Sequence, residues 1–213
     1  MMRIITGTAR GTKLVTLEGD ATRPTAERVK EALFSMLQFE LEGRAVLDLF
    51  AGSGQLGLEA LSRGSARATL IDASREAVDV IMENAKKTHL FDRCRVSCTD
   101  YASFIRGASG REQYDIVFLD PPYDAGLVPQ ALRGLADGKL FANGAAVVCE
   151  TDTGVDARPS RRHVDPEEVA AKEEAAVMQD VFGGSEELAG RFTVEKSVTY
   201  GRTRITILRP AEG

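Results

Sequence analysis

Val46-Leu47-Asp48-Leu49-Phe50-Ala51-Gly52-Ser53-Gly54-Gln55-Leu56-Gly57 is the most telling stretch of this chain for its architecture. A short apolar run over 45–50 enters a glycine-rich turn, and helical spacing follows from Leu56 to Leu61. Glycine tolerates positive φ and lets a ligand approach the backbone. The next apolar run, Ala68-Thr69-Leu70-Ile71, ends in Asp72, 24 residues after Asp48. An acid about 20 residues beyond such a turn commonly grips a ribose. Strand, glycine turn, helix, strand and acid in that order predict a βαβ unit.

Outward from this unit the alternation continues. Strands are expected at 94–98, 115–119 and 145–149, separated by helical patterns such as 74–87. Stretches 192–200 and 203–209, joined at Gly201-Arg202, predict a closing antiparallel hairpin. Upstream, 3–8 and 12–17 predict another hairpin, turning at Ala9-Arg10-Gly11. A helix follows from Thr25, with Val29, Leu33, Met36 and Leu37 at helical spacing. The expected fold is α/β: a Rossmann-like, mostly parallel seven-stranded sheet with its last strand antiparallel, plus the N-terminal β-hairpin and helix. Residues 1–213 are read as a single domain, with 1–24 as an N-terminal extension and 151–190 as an acidic insertion.

Composition excludes several classes. Hydrophobic content of 43% and charged content of 28% are ordinary for a soluble globular protein. No stretch approaches the ~18 apolar residues of a membrane helix, so no membrane partner is expected. Cys94, Cys98 and Cys149 lack ligand-like spacing and the chain has two histidines, which argues for a reducing cytoplasm and against a metal site. A monomer is expected.

The run Ile116-Val117-Phe118-Leu119 stops at Asp120-Pro121-Pro122-Tyr123. Proline lacks an N–H and fixes φ, so the strand ends there. That leaves a carboxylate, a carbonyl and an aromatic ring at the carboxyl end of a strand, where open α/β sheets bind ligands. Gly52, Gly54 and Gly57 match the dinucleotide pattern, yet Asp48 beside the turn would repel a pyrophosphate. A ligand carrying both an ammonium and a ribose suits Asp48 and Asp72, and S-adenosyl-L-methionine has both. Asp100, after another apolar stretch, is a candidate for an adenine amino group or simply a helix N-cap before Tyr101-Ala102-Ser103-Phe104.

Asp48 to Gly54, Asp72, Asp100 and Asp120 to Tyr123 resemble motifs I to IV of class I methyltransferases acting on exocyclic amines. Met2 to Gly7, Arg10 to Leu14, Thr22 to Thr25, Arg28 to Phe34 and Tyr200-Gly201-Arg202-Thr203 further resemble the RsmD family. The resemblance covers 2–150 and 192–209. Its members are 16S ribosomal RNA guanine-N2 methyltransferases acting on the small ribosomal subunit. It implies a cofactor site at Asp48, Phe50, Ala51, Gly52, Ser53, Gly54, Asp72, Ala73, Asp100 and Tyr101, and catalytic residues Asp120, Pro121, Pro122 and Tyr123. Another acceptor, adenine N6 or a protein glutamine, is the nearest alternative, although glutamine-modifying relatives typically carry Asn at position 120. A non-catalytic assembly factor on the same scaffold is the more distant one.

The net charge of −5 is unevenly spread. Residues 1–30 carry six bases and three acids, while 150–190 carry eleven acids and four bases. A basic N-terminal element is expected to meet RNA phosphates through Arg10, Lys13, Arg23 and Arg28. The insertion departs from the family; it is expected to be a solvated excursion with a helix at 166–181, and Arg158, Arg161 and Arg162 are its candidate RNA contacts.

Overall fold

In the computed structural model of this chain, residues 2–17, 24–122, 126–154 and 166–211 are described. Seven strands form one sheet in the order β3-β2-β1-β4-β5-β7-β6. They are β1 (Ala45–Asp48), β2 (Arg67–Asp72), β3 (Cys94–Cys98), β4 (Tyr114–Leu119), β5 (Phe141–Asp152), β6 (Phe192–Tyr200) and β7 (Thr203–Pro210). The first five pair in parallel, and β7 runs antiparallel between β5 and β6. Helices α1 (Pro24–Met36), α2 (Gln55–Ser62), α3 (Arg75–Lys87), α4 (Tyr101–Ala108), α5 (Leu127–Asp137), α6 (Pro166–Phe182) and α7 (Glu186–Ala189) complete it.

Each parallel strand must bury both faces, and the two cores show how. Val46, Leu70, Ile116 and Phe118 face α1, α2 and α3, packing on Leu33, Phe34, Leu58 and Ile81. Alternate residues Leu47, Ile71, Val117 and Leu119 face the opposite layer, with Phe104, Leu132 and Val181. Each such fully buried Leu, Ile or Phe contributes roughly 1.5–3 kcal/mol. The chain reverses strand order between β2 and β4 on either side of β1. This switch point opens at the carboxyl ends of β1 and β4, where the glycine turn and Asp120 lie.

Two expectations need correction. The N-terminal segment does double back at residues 9–11, with Ile4 N–H reaching the Thr12 carbonyl (3.0 Å), Gly11 N–H the Ile4 carbonyl (2.8 Å) and Leu14 N–H the Met2 carbonyl (3.0 Å). Its arms are shorter than the expected strands 3–8 and 12–17: among the described residues they form one isolated antiparallel bridge, Arg3 to Lys13. Further bonds dock it on α2. Glu59 accepts the N–H groups of Ile5 (2.7 Å) and Thr6 (3.0 Å), while the Ser62 hydroxyl donates to the Thr6 carbonyl (2.6 Å) and accepts from Ala9 N–H (3.0 Å). Gly7, at φ +89°, lies so close to the Ser62 carbonyl that any Cβ would overlap it. Ile4 and Leu14 are buried, so this segment belongs to the core as well as to the surface.

The acidic connection is not merely a solvated excursion. Helix α6 buries Val177, Val181 and Phe182 in the second core, and Asp180 on it pairs with the buried Arg204 of β7. Its first two turns are exposed. Arg158, Arg161 and Arg162, like Arg23 and Tyr123, lie outside the described residues.

Candidate active site at the carboxyl edge

Strand β1 ends at Asp48, which is 1% exposed. Its Oδ2 accepts the Gly57 N–H at 3.0 Å, from the first turn of α2. Gly57 is required by packing: a Cβ there would stand 2.9 Å from Leu70 Cδ2 and 3.5 Å from Asp48 Oδ2. The other carboxylate oxygen, Oδ1, is buried with no hydrogen-bond partner among the described residues. Burial pushes the Asp48 carboxyl up to about 7; the Gly57 N–H works against this shift, and the negative charge of Asp72 adds to it. A buried carboxylate with an open acceptor is costly unless a ligand satisfies it. A cation meets that need, so Asp48 fits the ammonium of S-adenosylmethionine.

The turn beyond Asp48 is pinned from below. Gly54 adopts φ +78° as the N-cap of α2, and its N–H reaches the Ala51 carbonyl at 2.6 Å. Both oxygens of Asp72 hold backbone: Oδ2 accepts from Gly52 N–H (2.9 Å) and Oδ1 from Ser74 N–H (2.8 Å). The acid at the end of β2 therefore shapes the glycine turn itself, a role its spacing did not announce. Each oxygen has a second lone pair, which leaves capacity for ribose hydroxyls. Ala73 beside it is exposed.

Across the edge, Asp100 caps α4 by accepting the Ser103 N–H at 2.9 Å. Hydrogen bonds from Ser103 hold its carboxyl below the usual range. The geometry thus supplies the cap reading directly. Phe50 and Tyr101 pack at 5.4 Å between ring centroids, joining the β1 end to the α4 start, and the Tyr101 hydroxyl donates to Gln130 at 3.1 Å.

On β4, Phe118 is the parallel partner of Asp48, so Asp120 stands two residues further along its strand, roughly 6–7 Å. Asp120 is half-buried, Pro121 buried and Pro122 exposed. The sheet therefore brings Asp48, the glycine turn, Asp72 and Asp120 to one edge. It does not bring Arg10 there. The N-terminal segment runs along α2, and its turn lies beside Ser62, roughly 10 Å down that helix from the glycine turn. Lys13 sits midway, opposite Arg3, and Arg28 is exposed on α1.

Two residues passed over in the sequence prove central. Glu59 is fully buried, ion-paired with Lys30 (3.4 Å) and Arg63 (2.8 Å), and holds the N-terminal segment as described. Asn84, also fully buried, reaches the Ser53 carbonyl at 2.9 Å. An amide three residues after Ile81 on the apolar face of a helix was the available signal.

Sheet order, reversed last strand and glycine turn define the class I methyltransferase fold. Solved structures agree. A putative methyltransferase from Escherichia coli matches with TM-score 0.73 at 28% identity, covering 100% of this chain and 99% of that one. A putative methylase from Haemophilus influenzae matches with TM-score 0.70 at 25% identity, over 99% of each chain. In sequence, ribosomal RNA small subunit methyltransferase D of Escherichia coli K12 is 36% identical over 173 residues, 80% of this chain and 86% of that protein. The putative rRNA methyltransferase YlbH of Bacillus subtilis is 35% identical over 156 residues, 73% and 85% respectively. The family model described as conserved hypothetical protein 95 matches residues 2–176. The chain belongs to this family, the RsmD family of methyltransferases. Among the described residues no helix is long and apolar enough to cross a membrane.

Proposed function

We propose that this protein transfers a methyl group from S-adenosylmethionine to the exocyclic N2 amine of a guanosine in 16S ribosomal RNA of the small subunit. The observation that carries the reading is the pairing of two acids on neighbouring strands, Asp48 buried beside the glycine turn and Asp120 further out at the proline-stopped lip. Membership of a family whose relatives bear small-subunit rRNA methyltransferase names supports the substrate class.

The bound cofactor supplies a methyl on a positively charged sulfur. Asp48 holds the ammonium, Asp72 the ribose, and the backbone of Gly52 to Gly54 leaves room for close approach. Phe50 and Tyr101 wall the pocket on the α4 side, where Asp100 and Ala73 also stand. The guanine amine is a weak nucleophile because its lone pair is delocalised into the ring. Asp120's carboxylate and Pro121's carbonyl each accept one of its N–H groups, which holds the nitrogen in line and favours pyramidalisation. Once methylated, the nitrogen is strongly acidic, and Asp120 or water takes the departing proton. Tyr123 stacks on the base, a contact worth ~1–3 kcal/mol. The base must leave its stack to reach this edge, so the target is in a loop or bulge. Arg10, Lys13, Arg23 and Arg28 hold the flanking backbone.

The test is incubation of the protein with tritiated S-adenosylmethionine and small subunits from a strain lacking it, followed by separation of RNA from protein. Label in the 16S RNA is expected. Label in ribosomal protein would move the acceptor to a glutamine amide.

A further inference from the structure

Asn84 joins two regions that the proposed chemistry treats separately. It is 0% exposed on α3, and both polar atoms of its amide are bonded. Oδ1 accepts the Val15 N–H at 2.8 Å, and Nδ2 donates to the Val15 carbonyl and to the Ser53 carbonyl, each at 2.9 Å. Ser53 in turn donates its hydroxyl to Met2 Sδ at 3.2 Å. Ile81, one turn before Asn84, packs beneath Gly54, where a Cβ would come within 3.3 Å of it. The middle of the glycine turn thus rests on α3 and on both ends of the N-terminal segment, residues 2 and 15.

We infer that Asn84 is a positioning residue for the cofactor: through it, docking of the N-terminal segment sets the conformation of the Ser53–Gly54 turn and so the affinity for S-adenosylmethionine. Three hydrogen bonds from one buried amide cannot all survive a shift of either partner, because a freed buried donor or acceptor loses its solvation without replacement. Movement of the segment and movement of the turn are therefore linked. Linkage is reciprocal: cofactor binding stiffens the segment, and a ligand that holds the segment in place tightens cofactor binding. In the proposed reaction that ligand is RNA, so the two substrates bind synergistically. This last step rests on the RNA reading; the link from segment to cofactor does not.

The experiment is titration of S-adenosylmethionine by calorimetry into the full-length wild type, Asn84→Ala, Val15→Pro and the double variant, with melting temperatures alongside. Val15→Pro deletes the N–H that Asn84 receives and touches nothing in the cofactor site. Each single variant is expected to raise Kd about tenfold, and the double variant little more than either, since both cut one connection. Lowered melting temperature with wild-type Kd in the folded variants would overturn the inference and leave Asn84 a purely structural residue; so would additive losses in the double variant. Failure of the wild type to bind the cofactor would instead overturn the proposed function. If Asn84→Ala does not fold, Val15→Pro alone still decides through its Kd.

Discussion

Two aspartates at the carboxyl ends of two neighbouring parallel strands sit in opposite surroundings. Asp48 is sealed beneath the glycine turn, held by the Gly57 N–H, with its ionisation opposed by burial. Asp120 lies two residues further out, half-buried, on a strand cut off by two prolines. The first environment suits a ligand that stays in one pose and carries positive charge. The second suits a group that must enter, exchange a proton and leave. One residue type meets two environments here because the sheet sets depth, and depth sets solvation.

Four experiments test that contrast. The largest effect is expected from Asp120→Ala: kcat for methyl transfer should fall on the order of 10²–10³-fold, the usual cost of removing one positioned hydrogen-bonding group at a reacting centre. Cofactor Kd should stay within about twofold, and a parallel loss of binding would make Asp120 structural.

Next comes pH. Burial pushes the Asp48 carboxyl up to about 7, whereas a bound cation requires the carboxylate. Cofactor affinity should therefore rise about tenfold from pH 6 to pH 8 and then level off. The sign for folding is opposite: with its pKa raised above 3.8, this group costs stability progressively as pH climbs from about 4 to about 7. Asp48→Asn, which keeps an acceptor for Gly57, should flatten both profiles. An unchanged slope in binding calorimetry would remove Asp48 from the cofactor site.

Asp72→Ala should weaken cofactor binding several-fold, through lost ribose contacts and through release of the Gly52 and Ser74 N–H groups. Unchanged affinity would refute the assignment. The smallest effect is expected from Arg10→Glu with Lys13→Glu: a few-fold rise in KM for RNA and a flatter salt dependence. Their place down the length of α2 makes them peripheral to the edge, and KM unaffected at low salt would take the RNA path off this segment.

The sheet was readable because its signals are local. Alternating apolar runs, the glycine turn and Asp120-Pro121-Pro122 each fix their own backbone, and the cap at Asp100 was one of two readings its sequence allowed. The N-terminal segment was readable only in part. It doubles back as its spacing suggests, with Ile4 bonded to Thr12 and Leu14 to Met2, but its docking on α2 through Glu59 and Ser62, more than 50 residues away, had no local signal. Strand β5 runs over 141–152 rather than 145–149, since β4 and β7 extend it from either side. Helix α6 looks wholly solvated by composition, and the burial of Val177, Val181 and Phe182 depends on a surface made by α5 and β5. At the site, the double hold of Asp72 on backbone was hidden for the same reason: a spacing shows where an acid stands, not which N–H groups reach it.

The most direct test of the account is the identity of the methylated nucleoside. Small subunits lacking the modification, labelled by the wild-type protein and digested to nucleosides, should yield N2-methylguanosine as the labelled product, formed far more slowly with Asp120→Ala. Label in N6-methyladenosine, or no label from a protein that binds the cofactor, would contradict it.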